Sequence, residues 1–322
     1  MKHVSLAIGV LTAIVLAATA EAAGVVRITP LGSHDGEFCA FDRAMVFEDP
    51  DGTRILYDAG RTVRGPDDPR LGKIDVVLLS HAHADHLGEA IQPAANAGTC
   101  ADPDISVKVA PRSNTVNIVV AKNAKFLVGG EMGSFFGNKV AAAGGEASQV
   151  LLLRFGASRK VGGVSFATVP AAHTNGLDPE FLEGPYAQGL KENALTAYLG
   201  PPNGYILTFS NGLVVYLSGD TGMTADQKTI VHDYYKPKLV VMNIGDVYTA
   251  GPREAASAIN TLIKPRQVIA SHANEAATKG GKVIPGTKTE IFVKATKVPV
   301  HVALSEKTLA FDAGGSCVSG CD

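Results

Sequence analysis

His81-Ala82-His83-Ala84-Asp85-His86 gathers three imidazoles and a carboxylate into six residues. These are zinc-type ligands, and a catalytic zinc takes three protein ligands and leaves one position open. The hexapeptide follows Ile74-Asp75-Val76-Val77-Leu78-Leu79-Ser80, an apolar run that reads as a buried strand. In extended chain, residues two apart face the same side, so His81 and His83 are placed to grip one ion. Asp85 and His86 come where the chain turns toward a helical-looking segment, 87–95, and that turn aims them at a second ion. The bland alternative, separate histidines satisfied on the surface or in the core, gives no common reason for four such residues side by side.

Three more ligand types each stand just after an apparent strand. His173 lies in Pro170-Ala171-Ala172-His173-Thr174-Asn175, and Asp220 in Ser218-Gly219-Asp220-Thr221-Gly222. His272 follows the run 267–271. Strand ends bring side chains to a common rim, where sites on α/β scaffolds form. Taken alone, His173 reads equally well as a loop histidine and Asp220 as a turn residue. Asp58, after Ile55-Leu56-Tyr57, reads as a residue that fixes a loop or a ligand rather than as a ligand. His34 sits on a Gly/Ser loop that approaches the site. His232 and His301 read as surface or core residues.

The elements that must position these groups are short strands and a few helices. Strands are expected at 25–31, 44–48, 53–57, 76–80, 105–110, 150–155, 164–170, 205–210, 213–218, 239–244, 267–271, 300–304 and 308–311. Asp49-Pro50-Asp51-Gly52 and Asn211-Gly212 are hairpin turns. Helices are expected at 114–122, 252–263 and 286–296. The small-residue stretch 129–145 reads as loops with one short element. The breaker-rich connection 175–203 reads as a long loop of the kind that covers an active site. No internal repeat and no long linker appears, so one mixed α/β domain is expected over 24–313, followed by a Gly/Ser/Cys tail, 314–322.

Composition narrows the partners. The chain has 322 residues, 46% of them hydrophobic, and a formal net charge of −2. With no basic stripe, nucleic acid is not an expected partner. Lys2 and His3, an apolar stretch 4–18 and the small-residue site Ala20-Glu21-Ala22 have the form of a secretory signal peptide covering 1–22. The apolar stretch is short for a membrane span. Its removal takes away Lys2 and Glu21, one charge of each sign, so −2 persists. No later run is long enough to span, and a periplasmic or secreted protein is expected. Export permits disulfides. Of the three possible connectivities of Cys39, Cys100, Cys317 and Cys321, the expected one is Cys39–Cys100 with a local Cys317–Cys321 clip.

The order His-x-His-x-Asp-His, then His173, Asp220 and His272, resembles the metallo-β-lactamase superfamily over nearly the whole mature chain. The resemblance implies an αββα sandwich and two divalent metal ions, Zn²⁺ first, with Mn²⁺ or Fe²⁺ as alternatives. It assigns His81, His83 and His173 to one ion, Asp85, His86 and His272 to the other, and Asp220 to both. A hydroxide between the ions would attack an ester, lactone or phosphodiester, with Asp85 as the catalytic residue steering the proton. Two divalent ions less two carboxylates and a hydroxide leave about +1, which favours an anionic small-molecule substrate. Asp220 argues against a true β-lactamase, and His83 against the di-iron oxygen-reducing branch. Ser218-Gly219-Asp220-Thr221-Gly222 with Met242-Asn243-Ile244-Gly245-Asp246-Val247-Tyr248-Thr249-Ala250-Gly251-Pro252 is similar to a lactonase-like branch related to ascorbate-6-phosphate lactonase. Arg61, Arg64, Lys191 and Arg253 are candidate phosphate contacts, and Tyr186, Tyr198 and Tyr248 candidate pocket residues. A metal-binding protein without turnover is the reading from a different class, and a β-lactam hydrolase is a further alternative.

Overall fold

Adjacent residues along the central strands enter different cores, and that alternation builds the layers. Val76 and Leu78 pack with Phe166, Leu207 and Val215, whereas Val77 and Leu79 pack with Val116, Val119 and Phe136. A strand buried on both faces needs a cover on each side. The first cover is a second sheet and the other is a layer of helices. The structure, a computed structural model, describes residues 24–321. The expected leader, 1–22, lies outside the described residues.

The strands β1 (Val26–Pro30), β2 (Met45–Glu48), β3 (Arg54–Tyr57), β4 (Val76–Leu78), β5 (Lys125–Val128) and β6 (Val150–Leu152) run through the first sheet in that order. The second sheet holds β7 (Ser158–Val161), β8 (Val164–Pro170), β9 (Asn203–Thr208), β10 (Val214–Leu217), β11 (Leu239–Asn243), β12 (Gln267–Ser271) and β13 (Val300–Val302). The chain then returns to the first sheet with β14 (Leu309–Phe311), paired to β1, and β15 (Cys317–Ser319), paired to β14. In both sheets the pairing begins antiparallel and ends parallel, with β3-β4-β5-β6 parallel in one and β10-β11-β12-β13 in the other. Parallel neighbours end at one edge, so their carboxyl ends share a rim.

The helices are α1 (Ala84–Leu87), α2 (Asn114–Ala121), α3 (Met132–Ala142), α4 (Gly184–Glu192), α5 (Pro252–Ser257) and α6 (Lys288–Ala295). Ser113 caps α2 and Thr287 caps α6, each hydroxyl accepting a backbone N–H three residues on. α2 and α3 lie on the outer face of the first sheet, while α5 and α6 pack together. The expected αββα sandwich is present as a single domain.

Several local expectations are corrected. The helical segment foreseen at 87–95 ends at Leu87, because Gly88 turns left-handed at φ 73° and the chain goes on to a two-residue strand at Ala90–Ile91. A Cβ on Gly88 would sit 2.2 Å from the Gly60 carbonyl oxygen. The strand foreseen at 105–110 shrinks to Val107–Lys108, exposed and paired only with that short piece. The stretch 129–145 contains the eleven-residue α3, and its Gly133 lets the helix approach Leu152. The helix foreseen at 252–263 is α at Pro252–Ser257 and widens to π-type turns over Ala258–Ile263. A further π-type helix, Gln227–Tyr235, and the edge strand β7 were not foreseen. The connection 175–203 contains α4 and a short strand pair, Gly176–Leu177 with Ala197–Tyr198. The segment expected as a tail supplies β15. Cys39 is bonded to Cys100 and Cys317 to Cys321, the expected pairing.

Candidate metal centre

Each singled-out ligand leaves a strand at the same rim. β4 runs into His81–His86, β8 into His173, β10 into Asp220 and β12 into His272. The chain must turn sharply there. Asp58, just past β3, and His272, just past β12, adopt left-handed backbone at φ 41° and 51°. Such conformations cost non-glycine residues of order 1–3 kcal/mol and persist where surroundings over-determine them. Gly219 makes the turn ahead of Asp220 at φ 59°, where a Cβ would meet the Asn203 carbonyl oxygen at 2.5 Å.

The seven residues form two triads around one oxygen. His81 Nε2 lies 2.9 Å from His83 Nδ1, and His173 Nε2 lies 3.3 Å from the same His83 atom. Opposite them, Asp85 Oδ2 is 3.6 Å from His86 Nε2 and 3.8 Å from His272 Nε2. Asp220 Oδ2 stands between, at 3.9 and 3.8 Å from His81 and His173 Nε2 and at 3.4 and 3.1 Å from His86 and His272 Nε2. Each triad brings its ligand atoms within 4.8 Å of one another. His86 Nε2 and His272 Nε2 are buried without a hydrogen-bond partner. An unpaired buried polar atom costs about 1–3 kcal/mol, and these two nitrogens both face the Asp85 and Asp220 carboxylate oxygens, where an electron-pair acceptor would satisfy them. The donor set fits a pair of divalent metal ions.

Neighbouring groups hold the ligands in place. Asp58 is the hub, buried and accepting from Ser80 N at 2.8 Å and Ser80 Oγ at 2.7 Å. Its Oδ2 lies 2.8 Å from His86 Nδ1, leaving Nε2 to face the triad. Ser80 Oγ also reaches His81 Nδ1 at 2.9 Å. Asn175 accepts the Ala82 N–H at 2.7 Å and donates to Leu199 and Gly200, tying the histidine loop to the connection beyond β8. Arg43, 6% exposed, donates Nη2 to Asp85 Oδ2 at 2.7 Å and to Asn274 Oδ1 at 2.9 Å.

The two triads differ in charge. Burial pushes His81 well below the ordinary histidine value and His83 down to about 4, and it lowers His173 too. These three are neutral at pH 7, the form that binds metal. Burial also works against His86, but the carboxylates of Asp220, Asp85 and Asp58 outweigh it and hold that ring up to about 10. Burial would raise Asp85 and Asp220. Arg43 and His86 beside the first, and His272 and His86 beside the second, overrule it and keep both carboxyls ionised.

A groove of about 530 Å³ opens onto both triads, lined by Phe41, Arg43, His83, Asp85, His173 and Tyr248 among others. A second cleft of about 520 Å³ reaches His83 and Asp85 from the side of Gly176, Pro179 and Leu195. Other candidates are elsewhere or engaged. Arg61 is on the first groove but pairs with Glu89, and Arg64 pairs with Asp68. Lys191 lines the second cleft, Arg253 is exposed at the start of α5, and Tyr186 and Tyr198 are exposed away from the first groove. His34 bonds to Ser33, His232 to the Ile263 carbonyl and His301 to Gln267. His301 also adjoins Cys317 and Cys321, whose sulfurs are joined to each other. Arg43, Asn175 and Asn274 escaped the sequence reading. A charged residue next to the buried strand β2 is the one signal that points to Arg43.

Comparison with known proteins agrees with this fold. Residues 53–273 match the family model described as a β-lactamase superfamily domain. A UPF0173 metal-dependent hydrolase of Cupriavidus necator is 32% identical over 231 residues, covering 69% of this chain and 68% of that protein. One from Polynucleobacter asymbioticus is 31% identical over 265 residues, covering 75% and 80%. Among solved structures, the metallo hydrolase Igni18 of Ignicoccus hospitalis superimposes with a TM-score of 0.58 at 21% identity, over 90% of this chain and 99% of that one. The chain belongs to the metallo-β-lactamase superfamily, as a metal-dependent hydrolase of the UPF0173 family.

Proposed function

We propose that the chain is an exported hydrolase that holds two divalent metal ions, zinc first, and opens an ester, lactone or phosphodiester bond in a small, anionic molecule. One observation carries the reading: Asp220 Oδ2 stands within 3.9 Å of four histidine nitrogens drawn from two separate triads. A lone ion has no use for six further ligands arranged on both sides of one carboxylate oxygen. Bound divalent ions lower the pKa of water toward 7 and polarise an acyl or phosphoryl oxygen.

The chain's own residues do the rest. His81, His83 and His173 offer neutral nitrogens on one side, and Asp85, His86 and His272 complete the other. Asp58 and Ser80 orient the rings from behind. Phe41 and Tyr248 give the groove apolar walls for the body of a substrate. Arg43 keeps Asp85 ionised, which suits a ligand and orienter better than a proton carrier. Export is supported by the leader pattern at 1–22 and by the Cys39–Cys100 bridge.

The test is metal analysis and an assay panel on purified full-length protein, offering a lactone, an aryl phosphodiester and a β-lactam with and without chelator. Two metals per chain and chelator-sensitive turnover of the first or second class are expected. Metal without turnover on any class would make the chain a binding protein. Turnover of the β-lactam alone would overturn the substrate assignment.

A further inference from the structure

We infer that Arg43 makes the two metal positions unequal, so that the Asp85 side binds its ion more weakly and is the exchangeable one. The inference rests on the two-metal reading. Its basis is a conflict over one atom. Asp85 Oδ2 faces His86 Nε2 and His272 Nε2, and that same oxygen accepts the Arg43 Nη2 hydrogen bond at 2.7 Å. An ion entering this triad shares the oxygen with a fixed guanidinium and takes its place beside a permanent positive charge. Arg43 cannot lose that charge, and it is too buried for water to screen it.

Among the described residues no arginine or lysine is bonded to the other triad. Around His81, His83 and His173 the named partners are the hydroxyls of Ser80 and Thr174, both neutral. Nor is Arg43 free to swing aside, since Asn274 holds the same Nη2 at 2.9 Å. Its Nε and Nη1 are buried without partners, so Asp85 is the one carboxylate hydrogen-bonded to it among the described residues, with Asp42 near enough only to feel its charge.

Two effects oppose each other. A hydrogen bond to a ligating carboxylate orients it and usually strengthens binding. Repulsion between a unit charge and a divalent ion at close range and low dielectric weakens binding, and it is the larger effect by Coulomb's law. Their separation is what an experiment must achieve. Arg43→Gln keeps an N–H donor and deletes the charge, and Arg43→Lys keeps the charge. Asn274→Asp leaves Arg43 in place and sets a second carboxylate on the same Nη2.

Zinc is titrated into the metal-free full-length protein at fixed pH, in competition with a chromophoric chelator. In the natural chain two events of unequal affinity are expected, and His173→Ala should abolish the tighter one. Arg43→Gln and Asn274→Asp should each tighten the weaker event about tenfold or more and leave the tighter one unchanged. Arg43→Lys should resemble the natural chain. Two events whose weaker member is unmoved or further weakened in both Arg43→Gln and Asn274→Asp would overturn the inference and leave the two-metal reading standing. A single event with one zinc per chain would overturn the two-metal reading itself. If Arg43→Gln does not fold, Asn274→Asp decides alone.

Discussion

The two triads are built from similar residues on one rim, yet they are held by opposite means. His81, His83 and His173 are three neutral rings, with the Ser80 hydroxyl beside His81 and the exposed-side hydroxyl of Thr174 beside His83. Asp85, His86 and His272 sit in a lattice of charge, with Asp58 behind His86 and Arg43 beside Asp85. The contrast follows from chain geometry. His81 and His83 are consecutive same-side residues of one extended segment, so local backbone aims them. Asp85, His86 and His272 come from a four-residue helix and a distant strand end, and long-range partners must fix their orientation.

The sharpest way to break the contrast is to remove what the triads share. Asp220→Ala takes an oxygen from both at once, so metal content should fall and turnover should drop by about 10³ or more. Elemental analysis with a hydrolysis assay reads both, and full retention of two metals would show that the triads do not depend on Asp220. A smaller loss is expected where a single support is cut, one that touches His86 directly and His81 only through Ser80. Asp58→Asn withdraws the carboxylate that faces His86 Nδ1 and should weaken metal binding about 10–100-fold. The loss should fall on the event that depends on His86, with the His173-dependent event far less affected.

Acidity separates the triads without mutation. In metal-free protein His83 has a folded value of about 4, below its unfolded value near 6.5. The unfolded chain therefore binds more protons between those values, and stability is lost as pH falls from about 6.5 toward 4. His86 has a folded value of about 10, above its unfolded value, so its contribution is complete below about 6.5 and is lost as pH rises toward 10. Melting curves in chelator should show a maximum near pH 6–7, with His83 costing about 1–2 kcal/mol on the acid limb. His83→Ala should make the acid limb shallower, with His81 and His173 still carrying part of it, and spare the alkaline one.

How far this was legible in sequence depends on where each residue's partners lie. All seven candidate ligands that the structure gathers could be picked out because each comes soon after an apolar run, and a strand end fixes position within a few residues. Asp58 was legible for the same reason. Arg43 was not, since its partners are Asp85 and Asn274, the latter 231 residues away. Asn175 bonds Ala82 across 93 residues and leaves no local trace. In the fold, α3 was hidden by glycines that read as breakers, although Gly133 serves close packing against Leu152. The helix at Gln227–Tyr235 was hidden by its threonine, isoleucine, valine and tyrosines, which have low helix propensity. β7 was hidden because Ser158, Arg159 and Lys160 are exposed and carry no apolar alternation.

The smallest expected effect tests whether the first triad needs outside support at all. Thr174 Oγ1 lies 3.3 Å from His83 Nε2, a long contact on the open side of the rim. Thr174→Val keeps the shape and removes the hydroxyl. A neutral hydrogen bond is worth about 0.5–1.5 kcal/mol net, and water can replace a partner on the open side. The expected change is therefore no more than a few-fold in zinc affinity at the tighter position and none at the weaker one. A loss as large as that of Asp58→Asn would mean that the neutral triad is oriented from outside after all. Local backbone geometry would then not suffice to aim His81 and His83.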